Sequence, residues 1–473
     1  MMAKRLLLST FGVSLLGGCA VGPAYHRPDL PVPVAFKEAA GWKEAQPSDL
    51  LPRQPWWESF NDPLLNELES GVAGANQTLR EASANYEAER QIARAERATY
   101  WPIAGVSAGA QRGQARGSVQ GAVNQFSVGG TASWTPDIFG RTRGLTDADI
   151  AAAQSSAAQL AQARLSIQSQ LAIDYVNLRT LDARRRLLSN AVASYRRTLE
   201  IANNKYKAGV VARSDVITSQ AQLDSTRAQV IDNGIQRAVL EHAIAVLLGK
   251  APSEFSIASR EEVGLAAPAV PSAVPSQLLE RRPDVASAER LAAAANARIG
   301  VQVAAYYPDL TLTGSGGFQS SKLSRLISVP NRYWTLGANL AETLFDFGER
   351  KALVAEARAN YDFSAAVYRQ TVLVAFQQVE DDLASLRLLR EEADVQAHAV
   401  KEATEAAAIA ENEYRAGTVD YTTVVNAAVT ELQNRETALQ LQANQLNSSI
   451  NLMQALGGGW TAADLPSQKD VLK

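Results

Sequence analysis

The sequence predicts a mainly α protein with a β component. Duplicated long-helix hairpins, each led in by a β-hairpin, are expected to form an α-barrel coaxial with a 12-stranded transmembrane β-barrel shared by a homotrimer. Three observations carry this expectation. Residues 145–208 contain no Gly and no Pro in a chain that has 30 and 18 of them. The frame then repeats, because Phe347 lies 208 positions after Phe139, Tyr414 208 after Tyr206, and Gly417 208 after Gly209. Ahead of each long stretch the hydrophobic period changes from helical to alternating.

Each Gly- and Pro-free stretch reads as one helix of about 68 residues, on the order of 100 Å long at roughly 1.5 Å per residue. Repeats outrank length as a guide, so the 473 residues read as one duplicated, elongated architecture. A formal charge of −3 gives no reason to expect nucleic acid. Three His and one Cys leave little for a metal site or a disulfide framework, and no cofactor is expected.

Taken in order, the chain opens with Lys4-Arg5, an apolar stretch from Leu6 to Leu16 and the lipobox Leu16-Gly17-Gly18-Cys19. Residues 1–18 read as a lipoprotein signal peptide, and Cys19, the sole cysteine, as the residue acylated after cleavage. Several acyl chains on one residue meet the need for more than one lipid in a stable anchor. Ala20 follows the cysteine in place of the Asp that retains lipoproteins in the inner membrane, which points to the outer membrane. Residues 19–75 form a Pro-rich strap and a first helix. That helix begins at Asp62-Pro63, an N-cap with Pro at the first helical position, and Trp56-Trp57 and Phe60 staple its start.

The first repeat occupies 76–249, with a hairpin at 102–137, a long helix at 141–208 and a shorter helix at 212–248. The helix through Leu79, Tyr86 and Ile92 stops at Tyr100-Trp101-Pro102. Residues 103–110 are a weaker strand, 111–125 a Gly/Gln-rich loop, and Phe126, Val128, Gly130, Ala132 and Trp134 alternate with polar residues on the return. A connector at 250–276 leads to the second repeat at 277–457, with hairpin 308–345, long helix 349–416 and shorter helix 420–456; 458–473 is a loosely ordered tail. In the second hairpin Leu310, Leu312, Gly314, Gly316 and Phe318 alternate with Asp309, Thr311, Thr313 and Ser315.

Strands of about 9–11 residues with one apolar and one polar face suit a tilted membrane crossing. Tyr100, Trp101, Phe139, Tyr306, Tyr307 and Phe347 sit at the helix-side ends, where interfacial aromatics belong. Two hairpins make four strands, and about eight are needed to close even a filled barrel. An open sheet would leave polar edges in lipid. Three copies solve both problems.

The first long helix carries an apolar seam from Leu160 through Leu171, Leu178, Leu188 and Tyr195 to Tyr206, its mean step close to the roughly 3.5 of a left-handed coiled coil. Asp174 interrupts this seam, and Asp382 stands 208 later; both read as paired or solvated seam carboxylates facing a wet lumen.

Cys19 to Pro28, Trp56-Trp57 to Leu64 and the mid-chain Leu278-Leu279-Glu280-Arg281-Arg282-Pro283-Asp284-Val285 resemble the signatures of NodT-type outer membrane factor lipoproteins, TolC-like exit ducts of tripartite efflux systems. The resemblance implies a passive conduit for small molecules, its helices forming a periplasmic α-barrel below the outer-membrane barrel. Its partners would be a periplasmic adaptor (a membrane fusion protein) and an inner-membrane efflux pump of the RND type, with outer-membrane lipids around the barrel. It also makes Tyr206-Lys207-Ala208-Gly209 and Tyr414-Arg415-Ala416-Gly417 the tip turns where adaptor hairpins dock. Asp215 matches a recurrent family acid, for which capping the second helix is an equal reading. Asn426 stands where relatives often place an aspartate lining the closed aperture. A type I protein-secretion duct is the alternative within transport, and a trimeric adhesin the alternative outside it. An enzyme is not expected, since no nucleophile elbow, zinc helix or phosphate loop is present.

Overall fold

The computed structural model describes residues 21–30, 32–33, 35–39, 55–114, 122–265 and 280–473. The signal peptide, Cys19, residues 266–276 of the connector and 277–279 at the start of the second repeat lie outside the described residues.

Asp62 starts α1 (Pro63–Ala75) as expected: its carboxylate accepts from the amides of Leu64 and Leu65 while Pro63 fills the first helical position. The helical pattern that continues to Ala98 divides into two helices. Asn76 closes α1 and opens α2 (Gln77–Ala98), its side chain accepting from Leu79 N and donating to Leu247 O. One short polar side chain thereby satisfies orphan groups at two helix termini.

β1 (Ile103–Gly113) and β2 (Val123–Trp134) form the first hairpin. Its loop is shorter than expected, because Gln111↔Gln125, Arg112↔Asn124 and Gly113↔Val123 continue the ladder, and the Gln111 and Gln125 amides bond to each other. Gly and Gln had weakened the strand signal, yet both pair readily once a neighbouring strand supplies the hydrogen bonds. β3 (Asp309–Ser320) and β4 (Arg332–Ala341) form the second hairpin. The sheet runs β1-β2-β3-β4, antiparallel throughout, with β1 and β4 as free edges.

α3 is Arg141–Lys207, 67 residues, and α6 is Glu349–Ala416, 68 residues. The shorter helices are α4 (Arg213–Leu247) and α7 (Tyr421–Ala455). α5 (Pro283–Ala304) leads into the second hairpin as α2 leads into the first. Near the sheet, α3 lies between α2 and α5, with α6 beside α5; farther away, α3 lies between α4 and α7, with α6 beside α7. One flank of the protomer is therefore α2 above α4, and the other is α6. Among the described residues no helix is long and apolar enough to cross a membrane.

The coiled-coil seam is narrower on paper than in space. Leu171, Leu178, Leu188, Tyr195 and Ala202 are buried, whereas Tyr206 is exposed. Around 171–182 α3 is buried on nearly every side, because α1, α4, α7 and the start of the connector all reach it. That start is part of the core, with Ile257, Val263 and Leu265 packed beside Trp56, Phe60, Tyr175 and Ile244. An ion network holds it there: Arg179 donates to Asp182 and to Ala258 O, and Arg237 to Asp182 and to Ile257 O.

The tail also departs from expectation. It ends in α8 (Gln468–Val471), capped by Ser467, and Val471 is fully buried beside Ala93 and Ile150. The apolar pair Val471-Leu472 just before the last residue of a polar segment was the only sign of this docking. Two glycines mark the ends of the shorter helices. Gly249 has φ +65 with Ala75 O pressed against it, and Gly457 has φ +92 with Arg281 O in the same place. A Cβ at either would stand about 2 Å from that oxygen.

Candidate functional site

At the end far from the sheet, α3 and α6 stop in matching turns. Gly209 (φ +71) lets Val210 N donate to Lys205 O at 2.9 Å, and Gly417 (φ +83) lets Thr418 N donate to Glu413 O at 3.0 Å. Both are left-handed helix ends that satisfy carbonyls the helix leaves unpaired. The two turns share one apolar cluster, in which Tyr414, Tyr421 and Val424 are buried with Ile201, Val419 and Val425 around them. The Tyr414 and Tyr421 rings lie 5.5 Å apart. Lys205 reaches across from α3, donating to Tyr414 O at 2.6 Å with its ammonium 3.9 Å from the Tyr414 ring centre.

Of the eight expected tip residues, Tyr206, Lys207, Ala208, Gly209, Arg415, Ala416 and Gly417 are exposed, and Tyr414 alone is interior. Arg415 pairs with Glu411 one turn back. Asp215 does not cap α4: Ala212 holds that position without a side-chain bond, and Asp215 sits in the first turn, where a carboxylate favours the helix dipole. Burial pushes the Tyr414 and Tyr421 hydroxyls above their ordinary range, and the Asp215 charge adds to it. Asn426 is exposed on α7, past the buried Tyr421 and Val424.

Midway up the helices, Asp174 is buried and accepts from Gln170 at 2.8 Å, its acidity weakened by burial. Asp382 is half-buried; burial first, then the adjacent Asp381, push it up to about 7 against the pull of Arg282.

At the junction of helices and sheet, Phe139 stacks on Tyr307 at 4.7 Å. Trp134 Nε1 donates to Tyr100 O, and Arg350 lies over the Tyr306 ring. Trp101 is 72% exposed, and Phe347 is fully exposed at φ +53, a conformation a bulky side chain rarely adopts. Lys205, Tyr421 and Arg350 were not singled out from the sequence. Each sits within eight positions of a residue that was, but only the packing shows whom it meets.

A wall of amphipathic strands fused to long helices that end in paired turns defines an outer-membrane conduit. The chain belongs to the outer membrane efflux protein family, whose model matches residues 70–250 and 274–458. It is similar to ArpC of Pseudomonas putida, an antibiotic efflux pump outer membrane protein, with 29% identity over 469 residues, 97% of this chain and 96% of that one. TtgC of Pseudomonas putida, a toluene efflux pump outer membrane protein, is 28% identical over the same length and shares. Among solved structures, the outer-membrane channel OprN superposes with a TM-score of 0.87 at 28% identity, covering 93% of this chain and all of that one. The open state of the Neisseria gonorrhoeae MtrE outer membrane channel gives 0.84 at 25% identity, covering 94% and 99%. The chain is thus an efflux conduit of the outer membrane.

Proposed function

We propose that three copies close into a duct through which small molecules leave the cell, passively, after an inner-membrane RND-type pump and a periplasmic adaptor have delivered them. The observation that carries this reading is the open four-stranded sheet, whose edges β1 and β4 have no partner strand among the described residues. In lipid each unpaired backbone group costs several kcal/mol, and pairing β4 of one copy with β1 of the next removes both edges at once. The helical flanks support the same closure. Val367, Val374, Leu388, Val395 and Ile409 on α6 stand at multiples of seven and are exposed, as are Ile217, Ile231, Ile235, Val239 and Val246 on α4. Laid side by side, three such pairs of flanks bury an apolar stripe at every joint.

The adaptor docks on the exposed tip residues, and opening separates the α3 end from the α6–α7 turn, the contact made by Lys205 and Tyr414. Acylated Cys19 anchors the strap in outer-membrane lipid. Cargo stays open, since relatives as similar as ArpC and TtgC are named for an antibiotic and for toluene. Native mass spectrometry and planar-bilayer recording test the reading. A trimer of low resting conductance is expected, and a protein that stays monomeric or never conducts overturns it.

A further inference from the structure

The two hairpins carry their charge in one place. Residues 103–136 and 310–341 contain no Asp and no Glu, yet hold Arg112, Arg116, Lys322, Arg325 and Arg332. Arg116 lies outside the described residues; the other four are exposed and gather at the loop end of the sheet. At the helix end the cations have acidic partners, Arg141 with Asp309 and Arg350 with Glu342.

Register places two of the four on the apolar face. Residues directly opposite in an antiparallel ladder share a face. Arg332 is opposite Phe318, which is opposite Val128, and Val128 is opposite Ala108. Along that same face Ala110 follows Ala108, and two residues further comes Arg112, opposite Asn124. The face holding Val106, Phe126, Leu312, Phe318, Trp334, Leu336 and Leu340 therefore ends, on both outer strands, in a guanidinium. Arg332 is eight residues from Leu340, about 26 Å along the strand at roughly 3.3 Å per residue. At a tilt of roughly 40° that is about 20 Å of height, near the top of an apolar band about 25 Å tall.

The β3–β4 loop adds a second, independent sign. Leu323, Ile327 and Val329 are 65%, 78% and 83% exposed, interleaved with Lys322 and Arg325. The loop is built to hold them out: Asn331 Nδ2 donates to Arg325 O at 2.6 Å and to Ser328 Oγ at 2.9 Å. Cations beside protruding apolar side chains match a ligand with phosphate and acyl chains together.

We propose that Arg112 and Arg332, with Lys322 and Arg325, form a girdle that binds a phosphorylated glycolipid of the outer leaflet. The guanidiniums fork onto its phosphates, and Leu323, Ile327 and Val329 lie against its acyl and sugar surface. The inference rests on the reading of the sheet as a membrane wall. If β4 pairs with the next copy's β1, Arg332 and that copy's Arg112 share one seam, which gives three such sites around the barrel.

The test uses the full-length protein in nanodiscs, with a bis-phosphorylated lipid A and its dephosphorylated form as probes. Wild type is expected to bind the phosphorylated form at least tenfold more tightly. Replacing Arg112 and Arg332 by Gln should cost about fivefold per cation, replacing both by Lys should cost less, because an ammonium keeps the charge but loses the fork, and the control Lys351→Gln should change nothing. Equal affinity for the two lipids in wild type overturns the proposal without any variant needing to fold. So does an Arg112→Gln/Arg332→Gln protein that keeps full affinity, or one that alters only ion selectivity, which would place the cations at the lumen. Failure of wild type to insert overturns the membrane-wall reading as well; normal insertion and conductance without phosphate preference overturns this inference alone.

Discussion

Lys205 Nζ donates to the backbone carbonyl of Tyr414 at 2.6 Å, joining the last turn of α3 to the last turn of α6. The two residues are 209 positions apart in sequence. An ammonium at a helix C-terminus satisfies a free carbonyl and favours the negative end of the dipole. Here the carbonyl belongs to the other repeat, so one bond ties the two tips together.

Lys205→Met should therefore loosen the tip. A hydrogen bond to a charged group contributes about 1.5–3 kcal/mol, so resting conductance in planar bilayers should rise by about tenfold or more. Unchanged conductance would remove this contact from the gate. Tyr421→Ala, which takes away the ring packed on Tyr414, should act in the same direction.

Glu69 predicts a pH dependence of stability. It is fully buried on α1, its carboxylate oxygens find no hydrogen-bond partner among the described residues, and burial pushes it up to about 9. In the unfolded chain it titrates near 4.5. The folded state thus holds its proton while the unfolded state releases it, so stability is greatest below about 4.5 and declines as pH rises toward 9. Glu69→Leu should flatten that decline and raise the unfolding midpoint at pH 8. Equal midpoints for wild type and variant across this range would disprove it.

Arg282 explains part of the mid-chain signature. It is buried, grips Asp284 with two nitrogens, and donates to Ala455 O and to Gln378, fastening α5 to the middle of α6 and the end of α7. Arg282→Ala leaves Asp284 without its partner and should cost about 3–5 kcal/mol. Arg282→Lys should fail to restore it, because an ammonium cannot reproduce the fork. Denaturation of the purified variants measures both.

Cys19→Ser should abolish metabolic labelling by a fatty acid while the protein still reaches its folded, protease-resistant form. Acylation that persists in the variant would refute the lipobox.

Much of this molecule was legible because its signals are local or periodic. The 208-residue offset, the missing Gly and Pro, the lipobox and the alternation of Leu310 to Phe318 are all properties of the chain itself. Asp62-Pro63 was readable for the same reason, since a cap and its helix are neighbours. Asn76 was not. An asparagine after 13 helical residues is ordinary until its amide is seen to bond Leu247 O, 171 positions away. The docked tail escaped on the same ground, because Val471 has meaning only beside Ala93 and Ile150.

The sequence by itself determined the repeat, the length of each helix, the two-faced strands and the glycine-ended tips, because backbone propensity and hydrophobic period need no partner. Tertiary structure decided which tip residues are surface and which are interior. Tyr206 and Tyr414 occupy the same place in the two repeats, yet one is 45% exposed and the other 3%. Only at Tyr414 do Tyr421 and the Lys205 ammonium converge. Burial is set by neighbours distant in sequence, and the same four-residue motif takes opposite roles according to what packs against it.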